Sequence, residues 1–296
     1  MNKINKNIVI AALARDCEKS LPNMINLIEE LRSYFVWSQV VLVENDSKDN
    51  TKKILFDWEK RKEGVNIVSQ DYGTLTIPEQ SNDCIKPLVS FHRIEKMAMY
   101  RNIYMKHINN IQHNIDNVII VDIDIESFSI EGAVNAVINC EGSCGAIFAN
   151  GVTIKRVFGI IFSKIFYDIF AVYEYPIKEN FSFTDKSLSR TLKTVMYNLK
   201  KDKQYTVISA FGGISIYNYN AISNLEYAVI SNGNNENEAV CEHIPFNTKI
   251  IKLGYENFIF RELEVIYGEH SFGSILKYYL PKQIFDILFK SFKIFK

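Results

Sequence analysis

The chain has 296 residues, 47% of them hydrophobic and 23% charged, which is ordinary globular composition with room for one large domain or two modest ones. Its 34 basic and 34 acidic residues cancel, which argues against a nucleic-acid partner and leaves any anionic ligand to be met by a few placed cations. The five cysteines are odd in number and scattered, so a disulfide framework is not expected and a reducing compartment, the cytoplasm, fits.

Lys3 and Lys6 precede the apolar run Ile8 to Ala14, and Ala12-Leu13-Ala14 mimics a signal-peptidase site. The same run reads as a buried first strand, and the next segment completes a βα unit, so we assign a strand. Ser20 is placed as an N-cap with Pro22 in the first turn. Leu21, Met24, Leu27, Ile28 and Leu31 follow at helical spacing. Val40 to Val43 predicts a second strand, and Asn50 or Thr51 opens a helix with Ile54, Leu55 and Trp58 on its apolar side. Val65 to Val68 predicts a third strand. Tyr72 to Ser90 has no period and carries Gly73, Pro78 and Pro87, so a long loop is expected. Ile94, Met97, Ala98 and Met105 mark another helix, and Val118 to Val121 and Ala146 to Ala149 two more strands.

The second half is less regular. Cys140 and Cys144 have no Cys or His pair at zinc spacing and read as isolated thiols. Val157 to Tyr173 is the longest apolar stretch, but Lys164 and Asp168 interrupt it short of the ~18 residues of a membrane span. Val207 to Ser209 and Ile214 to Tyr217 predict strands around Gly212-Gly213, and Ser231 to Glu238 a polar, mobile loop. Alternating strands and helices predict an α/β fold, a mainly parallel, Rossmann-like sheet flanked by helices. Ligands in such sheets bind beyond the carboxyl ends of the strands.

Chemistry-bearing residues cluster at those ends. Asp122-Ile123-Asp124 follows the apolar strand directly, and alternation would put both carboxylates on one face. Two such carboxylates make half of an oxygen site for magnesium or manganese. The other reading is a pair of solvated acids on an edge strand, and the apolarity of the adjoining strand favours the metal. Glu44-Asn45-Asp46 follows the second strand, where short polar side chains either cap the next helix or accept from a base or ribose; Asp49 or Asn50 could cap while Glu44 to Asp46 bind. Ala14-Arg15-Asp16 ends the first strand, and Arg93 and Arg101 lie on the helix before the Asp pair. Arginine forks suit phosphate oxygens, and Arg15 and Arg101 are the candidates; Arg93 reads as a surface residue.

The order of these motifs resembles the GT-A glycosyltransferases. Glu44-Asn45-Asp46-Ser47-x-Asp49-x-Thr51 stands where those enzymes often carry Asp-Asp-Gly-Ser-x-Asp-x-Thr, with Glu44-Asn45 in place of Asp-Asp and Asp46 in place of glycine. The later pieces are similar to the capsule-associated α-mannosyltransferase group first known from fungi and its bacterial relatives. They are Met97-Ala98-x-x-Arg101-Asn102, Asp122-x-Asp124, Tyr167-Asp168-x-x-Ala171, Ala210-Phe211-Gly212-Gly213-x-x-x-Tyr217 and Cys241-Glu242-His243. The resemblance implies a nucleotide-sugar-dependent hexosyltransferase with a UDP- or GDP-sugar donor and a glycan or lipid-linked acceptor, in surface polysaccharide, capsule or glycolipid synthesis. Asp122 and Asp124 would bridge a divalent metal (Mn2+ or Mg2+) to the diphosphate, with His243 completing the metal shell. Glu242 would be an acceptor-activating base or hydrogen-bond partner, and Asp168 and the Gly212-Gly213 turn would line the acceptor side; the alternatives are a structural ion pair for Glu242 and an interhelix bond for Asp168. Ala14, Arg15, Glu44, Asn45, Asp46, Arg101 and Asp122 would meet the nucleotide.

The expected organisation is one domain over 1–274, with a nucleotide-binding half at 1–127 and an acceptor-binding half at 128–274. Residues 275–296 are expected to form an amphipathic basic helix. After Pro281, Ile284, Phe285, Leu288, Phe292 and Phe295 share one helical face, and Lys282, Lys290, Lys293 and Lys296 the other. Such a helix either docks on the domain, makes a dimer contact, or lies on an anionic membrane surface, which would make the protein peripheral on the inner face of the cytoplasmic membrane. Two alternatives remain. A nucleotidyltransferase also uses paired aspartates, but would want a glycine-rich, lysine-containing loop after the first strand, and Ala11 to Lys19 has no glycine. A glycan-binding scaffold of the same fold would not need Asp122, Asp124, Glu242 and His243 intact.

Overall fold

The computed structural model describes residues 3–73, 87–177 and 181–270. The elements run β1 (Ile4–Ala14), α1 (Leu21–Ser33), β2 (Phe35–Asn45), α2 (Thr51–Arg61), β3 (Val65–Gln70), α3 (Phe91–Asn109), β4 (Asn117–Val121), β5 (Ser127–Phe128), α4 (Ile130–Asn139), β6 (Cys144–Val157) and β7 (Ile160–Phe166). They continue α5 (Asp185–Lys201), β8 (Gln204–Val207), β9 (Ile214–Asn218), α6 (Tyr219–Ile222), β10 (Ser231–Asn232), β11 (Asn235–Ala239), α7 (His243–Lys252) and β12 (Glu256–Glu269).

Ten strands form one sheet in the order β3-β2-β1-β4-β9-β6-β12-β5, with β7 paired to β6 and β8 to β12. β3, β2, β1 and β4 are parallel, as the βα pattern predicts. β9 then runs antiparallel between β4 and β6, and β12 returns parallel to β6. The sheet therefore passes continuously through both halves of the chain. Its inner strands are buried on both faces, which explains their unbroken apolar runs. Ile8, Ile10 and Ala12 of β1 pack with α1, α2 and α4, whereas Val9 and Ala11 pack with α3 and α7 on the other side.

Several local expectations are corrected. Ser20 sits at the N-cap position of α1 but its side chain makes no cap bond; its hydroxyl donates to the Cys17 carbonyl instead. Asp49 supplies the cap of α2, accepting from the Thr51 N–H at 2.9 Å, while Asn50 occupies the cap position without a side-chain bond. The polar segment at 231–238 is not a loop throughout, because β10 and β11 pair as an antiparallel hairpin. Within Tyr72 to Ser90, Pro87–Val89 forms a 3-10 turn and Ser90 caps α3 by accepting from the Arg93 N–H. The remainder of that expected loop, 74–86, and the expected C-terminal helix, 275–296, lie outside the described residues. Among the described residues no helix is long and apolar enough to cross a membrane.

Candidate active site

The carboxyl ends of β1, β2 and β4 open onto a cleft of about 620 Å³. The loops after β1 and β2 are laced together. The Asp16 and Cys17 N–H groups donate to the Ser47 and Thr51 hydroxyls, and Asp16 accepts from the Lys48 N–H at 2.7 Å. These bonds fix Ala14, Arg15 and Asp16 on one wall of the cleft, where Arg15 pairs with Asp16 at 3.7 Å.

The three residues after β2 divide their work. Glu44 is fully buried; it accepts from the Ser47 N–H at 2.9 Å and from the Ser69 hydroxyl, and it does not line the cleft. Asn45 does line it. Asp46 adopts φ +52, a left-handed conformation that glycine takes at least cost, and accepts from the Tyr72 and Gly73 N–H groups at 2.8 and 2.7 Å. Expectation and structure part here: of Glu44, Asn45 and Asp46, only Asn45 faces the ligand space.

β4 stops at Val121, so Asp122 and Asp124 are joined by a turn and not by strand alternation. Both nonetheless line the cleft. The Asp122 N–H donates to the Gly213 carbonyl at 2.9 Å, and its carboxylate accepts from the Tyr267 hydroxyl at 3.0 Å. Burial, reinforced by the Asp124 charge, pushes the Asp122 carboxyl up to about 8. Asp124 is exposed.

Close to Asp122 across the Gly212-Gly213 turn, Asp168 follows β7 and accepts from the Gly212 N–H at 3.2 Å. Burial pushes its carboxyl up to about 6, and the nearby Glu242 charge adds to the rise. Gly212 and Gly213 have φ +65 and +87. A Cβ on Gly212 would stand 2.2 Å from the Ala149 carbonyl oxygen, so the turn presses directly on β6. A Cβ on Gly213 would meet the Tyr267 hydroxyl at 2.9 Å.

The floor is a buried charge cluster. Arg101 and Glu242, 4% and 3% exposed, pair at 2.8 Å. Arg101 also donates to the Tyr104 hydroxyl and lies over the Phe211 and Tyr227 rings at 5.4 and 5.7 Å. Although burial opposes it, the Arg101 guanidinium, helped by His243, holds the Glu242 carboxyl down at about 2. His243 stacks on Phe211 at 4.3 Å and meets Tyr227 edge-on, and neither of its ring nitrogens has a hydrogen-bond partner. Burial, with Arg101 nearby, lowers its basicity to about 3, so the ring is neutral. Arg93 lines the cleft as well, donating to the Leu88 carbonyl.

Thus Ala14, Arg15, Asn45, Arg101, Asp122, Asp124, Asp168, Glu242 and His243 converge on one cleft, Gly212 and Gly213 abut it, and Glu44 and Asp46 shape it from behind. Among the described residues no three His, Cys, Asp or Glu side chains are already grouped as a metal cage. Sequence reasoning passed over Tyr267, which bonds Asp122 across 145 positions. No single clean period marks the strand that carries it, because β12 changes partners along its length.

The sequence profile of the family described as cryptococcal mannosyltransferase 1 matches residues 7–262. No curated protein matches the sequence. Among solved structures, the mannosyltransferase PcManGT from Pyrobaculum calidifontis, in complex with GDP-Man and Mn2+, superposes with a TM-score of 0.52 at 12% identity over 89% of this chain. GalNAc-T7, with UDP, GalNAc and Mn2+, gives a TM-score of 0.52 at 12% identity over 92% of this chain. The chain spans 57% and 45% of the lengths of those two structures, and at such identity the likeness is one of fold.

Proposed function

The chain belongs to the cryptococcal mannosyltransferase 1 family and has a GT-A-type fold, and from that premise we propose that it moves a sugar from a nucleotide-sugar donor to a glycan or lipid-linked acceptor. The observation that carries the reading is the Asp122–Asp124 pair just past the end of β4, lining the same cleft as Ala14, Arg15 and Asn45. The residues suit a hard divalent cation. Two carboxylates at a strand end, one of them strained upward to about 8 by burial and by its neighbour, gain from a positive charge between them. His243, with two buried unpartnered nitrogens, is the third candidate ligand. The chemistry such a cation supplies is neutralisation of the departing diphosphate.

Within that reading Asn45 addresses the base or ribose, and Arg15 and Arg93 the diphosphate. Arg101 is committed to Glu242 and sets the floor electrostatically. Glu242, held near 2, is a poor proton acceptor and positions Arg101 and His243. Asp168, near 6, has the basicity of a group that exchanges protons at neutral pH, and it stands on the acceptor side. Tyr167, half-exposed and packed on Tyr267 at 4.1 Å, offers an aromatic face beside it. Residues 1–127 serve the donor and 128–274 the acceptor. The basic apolar sequence at 275–296 suits attachment to the inner face of the cytoplasmic membrane, where lipid-linked acceptors reside.

A thermal-shift series with GDP, UDP and their sugars, each with and without Mn2+, tests the donor site. A folded-state ligand raises stability by mass action, by about 2.7 kcal/mol at a hundred times its Kd. The expected result is a larger shift with nucleotide and Mn2+ together than with either alone. Equal shifts with and without metal would refute the bridging role of Asp122 and Asp124.

A further inference from the structure

β6 and β7 run out of the sheet as a hairpin, with Val152 opposite Phe166 and Val157 opposite Ile160. The turn is Phe158-Gly159, at φ +50 and +81. At its end Phe158 is 101% exposed, Ile160 74%, Ile161 41% and Phe162 66%. Successive side chains on a strand point to opposite faces, so this apolar surface wraps both sides of the ribbon and its tip. A single protein partner covers one face of such a ribbon. Exposure all round fits a medium that surrounds it, and large exposed apolar patches mark protein or membrane contact.

The flanking chemistry agrees. From Lys155 to Tyr167 there is no acidic residue. Lys155, Arg156 and Lys164 sit below the tip, and Glu269, Glu126 and Glu264 from other elements pair with them at 3.5, 2.5 and 2.7 Å. The shaft is thereby braced while the tip carries no charge. β12 ends beside the hairpin, where the His270 N–H donates to the Ile154 carbonyl at 2.9 Å. The sequence 271–296 therefore begins at this edge, and it carries five lysines against one acidic residue, Asp286. Phe166 leads without a break into Tyr167 and Asp168 of the cleft.

We propose that the β6–β7 hairpin tip embeds in the interfacial layer of a lipid bilayer and holds the acceptor side of the cleft at the membrane surface. Three residues of strand span roughly 10 Å, which matches the ~5–10 Å depth of interfacial elements. Deeper entry is disfavoured, because unpaired edge backbone in hydrocarbon costs several kcal/mol per group. The acceptor-side placement rests on the proposed transfer reading, whereas embedding of the tip is measured without it.

The test uses the full chain with vesicles of phosphatidylcholine and phosphatidylglycerol. An F158W variant, with the contribution of Trp37 and Trp58 subtracted using the parent chain, should shift to the blue on adding vesicles and be quenched by acyl-brominated lipid. F158S/I160S/F162S, at exposed positions, should keep the melting temperature and soluble-acceptor activity while vesicle partitioning falls at least about tenfold. Three results would overturn the proposal. Vesicle binding without quenching assigns attachment to the C-terminal sequence alone. Emission already blue without vesicles, at all concentrations, means that 271–296 covers the hairpin. A blue shift that grows with protein concentration means that a second copy does.

Discussion

Removing the guanidinium of Arg101 should be among the most destabilising single changes in this chain. Arg101→Leu leaves Glu242 buried at 3% exposure with its 2.8 Å partner gone. Two routes give the magnitude. Breaking a buried pair by deleting one member costs about 3–5 kcal/mol. Independently, the Glu242 carboxyl is held at about 2 against a reference of 4.5, and that difference corresponds to about 3 kcal/mol. At roughly 2–3 °C per kcal/mol for a domain of this size, the melting temperature should fall by roughly 6–15 °C.

The pH dependence gives the sharper check. In the parent chain Glu242 has a folded pKa below its unfolded value, so its contribution is present above about 4.5 and is lost as pH falls through about 2. In Arg101→Leu, burial, the largest influence on this carboxyl, is opposed only by His243 and a backbone N–H, and the same carboxyl should rise above its unfolded value. The penalty is then full at neutral pH and shrinks on acidification. Melting curves by circular dichroism from pH 8 to pH 4 should show the two proteins converging. Replacing the whole pair, Arg101→Leu with Glu242→Met, should recover at least half of the loss, because an apolar pair of similar volume leaves no charge stranded. A single-variant cost under about 1 kcal/mol, a penalty flat in pH, or a double variant worse than both singles would refute this account of the floor.

Asp122→Asn and Asp124→Asn should each lower transfer by about a hundredfold or more with the melting temperature unchanged or raised, since each removes repulsion between like charges; full activity in either, by radiolabelled donor assay, would remove the metal reading. Asp168, raised to about 6, should give a rate that falls as pH drops below that value, and Asp168→Asn should abolish this acid limb in a pH–rate profile. Asp46→Gly keeps the φ of +52 but releases the Tyr72 and Gly73 N–H groups. It should cost about 1 kcal/mol or less in denaturant unfolding while raising the donor KM, whereas Asp46→Asn should keep both.

The first half of the fold was legible because its strands are buried on both faces. Val40 to Val43 and Val118 to Val121 are apolar at every position, and α1 shows its buried stripe at Leu21, Met24, Ile28 and Leu31. The other half was not, and the reason is long-range pairing. β12 draws on β6, β8 and β5 at different points along its length, with register shifts at each change of partner. Its sequence therefore mixes charged and apolar residues without one clean period. β6 likewise extends far beyond its readable core, Ala146 to Ala149, because β7 folds back on it.

Within the site, residue types were legible and their assignments were not. A strand-end acid can face the ligand, brace the turn, or hold a neighbour, and only the fold decides which. Glu44 braces: its oxygens are consumed by Ser47 and Ser69. Asp46 also braces, and it shows how a glycine position can be filled. At φ +52 most side chains are penalised by about 1–2 kcal/mol, which short polar ones offset by local hydrogen bonds. Asp46 does so with the Tyr72 and Gly73 N–H groups, so the departure from the family pattern preserves the backbone shape and adds a clamp on the following segment. Asn45, between them, is left as the one side chain of the three turned to the cleft. By the same logic Glu242 and Asp168, indistinguishable as carboxylates in the sequence, separate by environment. One is held near 2 by Arg101 and the other is lifted to near 6 by burial, so the second is the better placed of the two to exchange a proton near neutral pH.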